Sequence, residues 1–230
     1  MKYSEKYLPN QKFYRNLNNL SKEKYEKKLY LKINEILKLS KTINHSRFFK
    51  TKLHSSVKMG SNPLFLNFID FLINILKPKT VLEIGTFVGL FSTFLAKKKL
   101  KVTTIEKFKK FYLIAKKNFK KNNISKNVQI LNEDANNILD KLHKKFDLIF
   151  LDGDKGSYLN IFKKIEKNNL KKNSAIIVDD IFFHGDILNK KTHSTKGLGV
   201  KNFLSYIKKN DKFYKTILPI YGGILLLIKK

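Results

Sequence analysis

Between Thr80 and Val178 five short apolar runs alternate with segments of helical periodicity, and this alternation constrains the fold of the 230-residue chain more than any other feature. Residues 80–84, 101–105, 128–131, 146–151 and 174–178 read as strands, and 89–97, 108–121, 136–142, 158–168 and 199–209 carry helical spacing. Strands joined through helices require right-handed crossovers, so the expected class is α/β with a mostly parallel sheet. Two further strands, 214–219 and 223–228, are split by Tyr221-Gly222-Gly223, a hairpin signal that adds one antiparallel strand. In such sheets ligands bind where the strands end, at their carboxyl side.

Upstream, Phe65, Phe68, Phe71, Leu72, Ile75 and Leu76 recur at helical spacing after Ser61-Asn62-Pro63, a helix start, and Lys77-Pro78 ends the run. Residues 1–55 form a lysine-rich arm in which Leu29, Ile33, Ile36 and Leu37 fall at helical spacing. The division is therefore a basic helical arm, 1–55, and one domain, 56–230. Met1 to Lys12 holds charges without an apolar run, so no signal peptide is expected, and no segment has the roughly 20 apolar residues of a membrane span. A cytoplasmic protein with no membrane partner is the expectation.

The formal charge is +30, with 48 basic against 18 acidic residues, and only Arg15 and Arg47 are arginines. One reading is an electrostatic footprint for nucleic acid. The other is a solvated lysine surface produced by A/T-rich codons, since Lys, Asn, Ile, Phe and Tyr are all abundant. The rarity of arginine, the better bidentate reader of phosphate, weighs against the first. Cysteine is absent, which excludes disulfides, zinc thiolates and cysteine nucleophiles.

The strand ends carry the chemistry. The first strand runs into Glu83-Ile84-Gly85-Thr86-Phe87-Val88-Gly89. Gly85 allows a tight turn and Gly89 close packing at the helix start, in a G-x-x-x-G spacing unlike the G-x-G-x-x-G of dinucleotide sites. Glu106 ends the second strand 21 residues after Gly85, placed to accept two ribose hydroxyls. Asp134 follows the third strand and could accept from an adenine amino group. The fourth and fifth strands deliver Asp152-Gly-Asp-Lys155 and Asp179-Asp180 to the same end. Oxygen donors without nearby His or Cys suit a hard cation, and three like charges at one locus would repel unless a cation or Lys155 offset them. The five histidines have no metal or triad spacing, and the 193–197 loop is expected near the site.

Val81-Leu-Glu-Ile-Gly-Thr86, Asp152-Gly-Asp-Lys155 with Tyr158, and Val178-Asp-Asp-Ile181 with His184-Gly185 resemble the cation-dependent O-methyltransferases, over about residues 55 to 230. That family includes catechol and caffeoyl-coenzyme A methyltransferases and a bacterial branch acting on 5-hydroxyuridine in tRNA. The resemblance implies a Rossmann-like class I methyltransferase fold, with a mostly parallel seven-stranded sheet, an antiparallel last strand, helices on both faces and extra N-terminal helices. It implies S-adenosylmethionine as cofactor with a divalent cation, Mg²⁺ or alternatively Mn²⁺, and a homodimer. Carried over residue by residue, Glu106 resembles the ribose acid, Asp134 and Ala135 the adenine-contacting pair, and Glu83 and Gly85 the glycine-loop positions. Met59 and Ser61 lie where the family closes a segment over the cofactor. Asp152, Asp179 and Asp180 resemble the metal ligands, with Asp152 also beside the cofactor, and Lys155 the catalytic lysine. Two departures stand out. Asp180 replaces the commoner Asn, making the site one charge more negative if ionised. In Gly89-Leu90-Phe91-Ser92 the serine is displaced by one position.

The implied reaction is in-line transfer of a methyl group from sulfonium to an oxygen nucleophile whose hydroxyl has a vicinal oxygen. A bound cation lowers the pKa of that hydroxyl, and Lys155 takes the proton or holds the oxyanion. The acceptor partner is a tRNA nucleotide or a small catechol-like molecule. A non-catalytic RNA-binding protein on a degenerate methyltransferase fold is the alternative from another class. A nucleotide-dependent dehydrogenase is disfavoured by the glycine spacing.

Overall fold

The computed structural model describes residues 63–219 and 222–230. The arm 1–55, Met59 and Ser61 lie outside the described residues, as does Tyr221 of the hairpin. In chain order the elements are α1 (Pro63–Leu76), β1 (Thr80–Ile84), α2 (Leu90–Lys97), β2 (Lys101–Ile105), α3 (Lys109–Lys121), β3 (Val128–Leu131), α4 (Ala135–Ile138), β4 (Phe146–Leu151), α5 (Tyr158–Asn168), β5 (Leu170–Val178), α6 (Thr195–Lys209), β6 (Phe213–Leu218) and β7 (Ile224–Lys229). Short 3₁₀ turns occupy Lys155–Ser157 and Phe183–Leu188.

One seven-stranded sheet has the order β3-β2-β1-β4-β5-β7-β6. Strands β1 to β5 pair in parallel, and β7 runs antiparallel between β5 and β6. The strand order reverses between β1 and β4, so the loops after these two strands diverge and leave a crevice at their carboxyl ends.

Alternation along the strands sorts side chains between two cores. Leu82, Ile84, Ile149, Leu151, Ile176 and Val178 pack toward α5 and α6, against Tyr158, Phe162, Val200 and Phe203. Val81, Leu148, Phe150, Ala175 and Ile177 pack toward α1 and α2, against Phe65, Leu66, Ile69, Phe91 and Phe94. The amino ends of the strands are closed by Asp147, whose Oδ2 accepts from Lys79 N, Thr80 N and Thr80 Oγ1, while Oδ1 pairs with Lys171. Despite partial burial, these donors hold its carboxyl well below the usual range.

Most boundaries agree with the sequence reading to within one residue, and three shift by four, the first being helix α4, which ends at Ile138 rather than at 142. Helix α6 begins at Thr195, four residues before the predicted start, because Gly197 and Gly199 serve close packing inside a helix capped by Ser194, whose Oγ accepts from Gly197 N at 2.9 Å. Strand β5 begins at Leu170, with a register shift opposite Phe146 and Leu148 and a left-handed Asn173 (φ 65°), so an irregular lead-in hides its start from the periodic pattern. Among the described residues no helix is long and apolar enough to cross a membrane.

Candidate active site

A cavity of 1310 Å³ lies across the carboxyl ends of β1, β2, β4 and β5 and gathers Gly85, Glu106, Asp134, Ala135, Asp152, Lys155, Asp179 and Asp180 along its walls. Residues separated by nearly one hundred positions thus meet where the sequence predicted, because parallel strands end at one side of the sheet.

The loop after β1 needs its glycines. Gly85 has φ +99°, and a Cβ there would overlap the carbonyl of Asp152, so β1 and β4 approach backbone to backbone. Gly89 has φ +85°, and a Cβ would fall 2.6 Å from the Phe119 ring. Phe87, also left-handed at φ 51°, is held by its amide, which donates to Glu106 Oε2 at 2.8 Å.

Glu106 accepts from Phe108 N through Oε1 at 2.8 Å, so both carboxylate oxygens are oriented by backbone amides. Its remaining lone pairs meet the cavity beside an aromatic cluster in which the Phe87 and Phe111 centroids lie 4.7 Å apart. Burial raises its pKa, opposed by those two amides. Asp134 caps α4 by accepting from Asn136 N and pairs with Lys107 Nζ at 2.8 Å, which lowers its pKa.

Glu83 turns the other way. It alternates to the α2 side of β1 and is 1% exposed. Its Oε2 accepts from Thr104 Oγ1 at 2.5 Å and from Ser92 Oγ. Burial pushes its pKa up to about 8, against these hydrogen bonds. Ser92, the displaced serine, is therefore spent on Glu83 inside the protein. Phe91 takes the preceding position in the core, its ring 4.2 Å from that of Phe150. The Glu83–Ser92–Thr104 network was not legible in the sequence, since it needs the strand pairing and the α2 register together.

Lys155 is 8% exposed, and its Nζ donates to Tyr158 Oη at 2.6 Å, Asp152 Oδ1 at 2.7 Å and the Asp179 carbonyl at 3.2 Å. Its three N–H groups are thus all engaged. Burial alone would lower its pKa, but the Asp152 charge and the Asp152 and Tyr158 hydrogen bonds outweigh it and the net direction is up. Burial, then the Asp152 charge, push Asp179 up, and Lys155 opposes them.

The expected convergence of three carboxylates is not made. Asp152, Asp179 and Asp180 line one wall of the cavity, but among the described residues no three His, Cys, Asp or Glu side chains are arranged to hold a metal ion. The Lys155 ammonium takes the place beside Asp152. Asp179 Oδ1 accepts from Asp180 N at 2.8 Å. Asp180, left-handed at φ 56°, sends its Oδ1 against Gly222, where a Cβ would overlap it. The donor chemistry of three hard oxygens suits a divalent cation.

Of the far wall the sequence singled out His184-Gly185, and not the apolar side chains around them. Phe182, Phe183, His184, Gly185 and Leu188 line it, with Lys196 from α6. Of the 193–197 segment expected near the site, Lys196 lines the cavity, and residues 195–197 belong to helix α6 rather than to a loop.

Residues 34–230 match the O-methyltransferase family. The chain belongs to that family. The S-adenosylhomocysteine-bound methyltransferase of Podospora anserina superposes with a TM-score of 0.78 at 22% identity, over 94% of this chain and 99% of that one. A Streptomyces achromogenes O-methyltransferase of tomaymycin synthesis, in complex with S-adenosylmethionine, gives 0.76 at 18% identity, over 86% and 96%. An O-methyltransferase from Bacillus cereus with bound S-adenosylhomocysteine gives 0.69 at 21% identity, over 96% of both chains. Comparison with curated proteins gives no match. The seven-stranded sheet with antiparallel β7 is the class I methyltransferase arrangement that the resemblance implied, and the enzyme is an O-methyltransferase by family.

Proposed function

We propose that the cavity binds S-adenosylmethionine along the β1–β2–β3 side and transfers its methyl group to an acceptor oxygen held between Lys155 and the Phe182–Leu188 wall. The observation that carries this reading is the saturated Lys155 ammonium at the junction of the two halves of one cavity. Glu106 would accept from the ribose hydroxyls, Asp134 and Ala135 would contact the adenine, and Gly85 would let the backbone approach the methionine portion. Glu83 would act from beneath, by holding the loop through Ser92 and Thr104. Bound S-adenosylmethionine and its product in family members of the same fold support the assignment.

With all three N–H groups engaged and its pKa raised, Lys155 stands as a fixed positive charge. It stabilises an ionised acceptor oxygen rather than collecting a proton. In-line placement of oxygen, methyl and sulfur supplies much of the remaining rate. A divalent cation, Mg²⁺ or Mn²⁺, is the finer part of the proposal. Asp152, Asp179 and Asp180 would hold it once the Asp180 side chain turns from Gly222 toward the other two, and the hard oxygen chemistry of the three donors supports it. When bound it would lower the pKa of the acceptor hydroxyl.

For the acceptor, a nucleotide with vicinal oxygens, 5-hydroxyuridine in tRNA, is favoured by the +30 charge. A small catechol-like molecule is the second reading, favoured by the apolar far wall. Nucleoside mass spectrometry of cells lacking the protein decides. Accumulated 5-hydroxyuridine in tRNA supports the first, and an unaltered profile with methylation of a catechol in vitro supports the second. Full turnover after chelation to below one metal ion per hundred chains, by elemental analysis, would remove the cation from the mechanism.

The cofactor half is tested separately. Glu106→Ala deletes an ionised acceptor of two hydroxyls and the clasp on Phe87 and Phe108. At about 1.5–3 kcal/mol per charged hydrogen bond, the Kd for S-adenosylmethionine should rise about 100-fold or more by calorimetry. A rise below about threefold would place the ribose elsewhere.

A further inference from the structure

The far wall of the cavity is built from backbone that side-chain-bearing residues rarely adopt. Asp180, Phe183 and His184 have φ of 56°, 41° and 55°, next to Gly185 at 84°. Non-glycine residues in the left-handed region persist only where their surroundings over-determine them. On one side the surroundings are the β7 hairpin: Ile181 N and Phe182 N donate to the carbonyls of Gly223 and Gly222 at 3.0 and 2.7 Å. On the other side the matching clasp is one carboxylate.

Asp186 Oδ1 accepts from His193 N at 2.7 Å and from Asn189 Nδ2 at 3.5 Å. Its Oδ2 accepts from Ser194 Oγ at 2.7 Å and Ser194 N at 3.2 Å. Ser194 Oγ in turn accepts from Gly197 N, so the hydrogen bonds run from the first turn of α6 into the carboxylate. The carboxylate lies over Gly197, where a Cβ would overlap Oδ2. Two residues on, a Cβ at Gly199 would fall 2.5 Å from the Lys155 carbonyl, so α6 packs its start directly on the turn that carries Lys155. One short helix segment, bare of side chains at two positions, joins the acceptor wall to the Lys155 turn.

We propose that Asp186 is a positioning residue for the methyl acceptor: its carboxylate, clasped to residues 193–194 over Gly197, holds the 181–188 wall against the cavity and in register with Lys155. The acceptor part rests on the methyltransferase reading, while the clasp itself does not. Asp186 does not line the cavity, and the hydrogen bonds it accepts keep its carboxyl below the usual range.

The full chain is compared with D186A, D186N, G197A and D186A/G197A. Three readouts are taken: amide hydrogen exchange, S-adenosylmethionine affinity by calorimetry, and steady-state methylation of 3,4-dihydroxybenzoate as acceptor probe. In D186A, amides of 181–194 should exchange about tenfold faster, and the acceptor KM should rise about tenfold, as loss of charged hydrogen bonds implies. kcat and cofactor affinity should stay within about threefold. D186N, which keeps one acceptor oxygen, should fall between. G197A should mimic D186A, because its methyl takes the place of the carboxylate, and the double variant should be no worse than either single one. Unchanged exchange in D186A, equal losses in kcat and cofactor affinity, or additive effects in the double variant would each overturn the proposal. If no form, wild type included, methylates the probe or binds S-adenosylmethionine, the functional reading fails and the exchange data alone decide the role of Asp186.

Discussion

Lys155→Met should lower kcat about 10³-fold while the Kd for S-adenosylmethionine stays within about threefold of wild type. The side chain is matched in length and is almost wholly buried, so the substitution removes a charge more than a volume. What it strips away is a hydrogen bond to Asp152 Oδ1, one to Tyr158 and one to the Asp179 carbonyl. Asp179 is already pushed up by burial and by Asp152, with Lys155 opposing, so without the ammonium it rises further and tends to protonate. The variant therefore has neither the fixed cation nor the charge pattern of the wall. Lys155→Arg should not restore the rate, because a planar fork cannot reproduce three donors converging from a point charge. The cofactor half of the cavity, at Gly85, Glu106 and Asp134, is built from other strands and keeps its geometry. Single-turnover methyl transfer with calorimetry on the same sample separates the two effects, and thermal melting confirms that the variant is folded. A kcat within tenfold of wild type would show that Lys155 is structural and that the acceptor oxygen is activated elsewhere.

Strand positions were the most legible part of the chain. Strands β1 to β4 begin and end where the apolar runs do; β1 and β4 are buried on both faces and nearly continuous hydrophobe, whereas β3 lies at the sheet edge with Gln129 exposed. The strand-end acids were legible for the same reason: an Asp or Glu that stops an apolar run in a parallel sheet must sit at its carboxyl edge. What stayed hidden depends on register between elements. Glu83 lies within a strand, so its side is set by alternation, but only the packing of α2 shows that Ser92 meets it. Gly197 read as loop and Gly199 as the first residue of the helix, because glycine disfavours helix, and the structure spends that cost on close approach to Asp186 and the Lys155 turn. Asp180 is the converse case. Its place beside Asp179 implied a third carboxylate facing a common centre, yet its left-handed backbone turns the side chain against Gly222. Sequence locates the Cα of such a residue and leaves its direction open.

Glu83→Gln should flatten the dependence of stability on pH between about 5 and 8, where wild type loses about 1.4 kcal/mol per pH unit from this group alone. The folded-state pKa is raised from 4.5 to about 8, chiefly by burial, with the charges of Asp152 and Glu106 adding to it. For a raised pKa the contribution to stability is fully present below the unfolded value and is lost as pH rises through the folded one. Across that window the folded chain holds one proton that the unfolded chain has released, so every unit of pH favours unfolding. Carboxyls with lowered values, Asp147 and Asp134 among them, act in the opposite sense and only at acid pH, below about 4, so they do not mask the slope. Gln carries no titrating group and keeps an oxygen for Ser92 and Thr104. Urea unfolding of both proteins at pH 5.5, 7 and 8.5 isolates the term, because every other titrating residue is common to the pair. The difference in stability should move toward the variant as pH rises, by a total of several kcal/mol at most. Cofactor affinity should be unchanged by the substitution, since the carboxylate faces α2 and not the cavity. Parallel stability curves would mean that Glu83 is ionised in the fold. A large loss of S-adenosylmethionine affinity would instead mean that this carboxylate swings into the cofactor site, releasing Ser92.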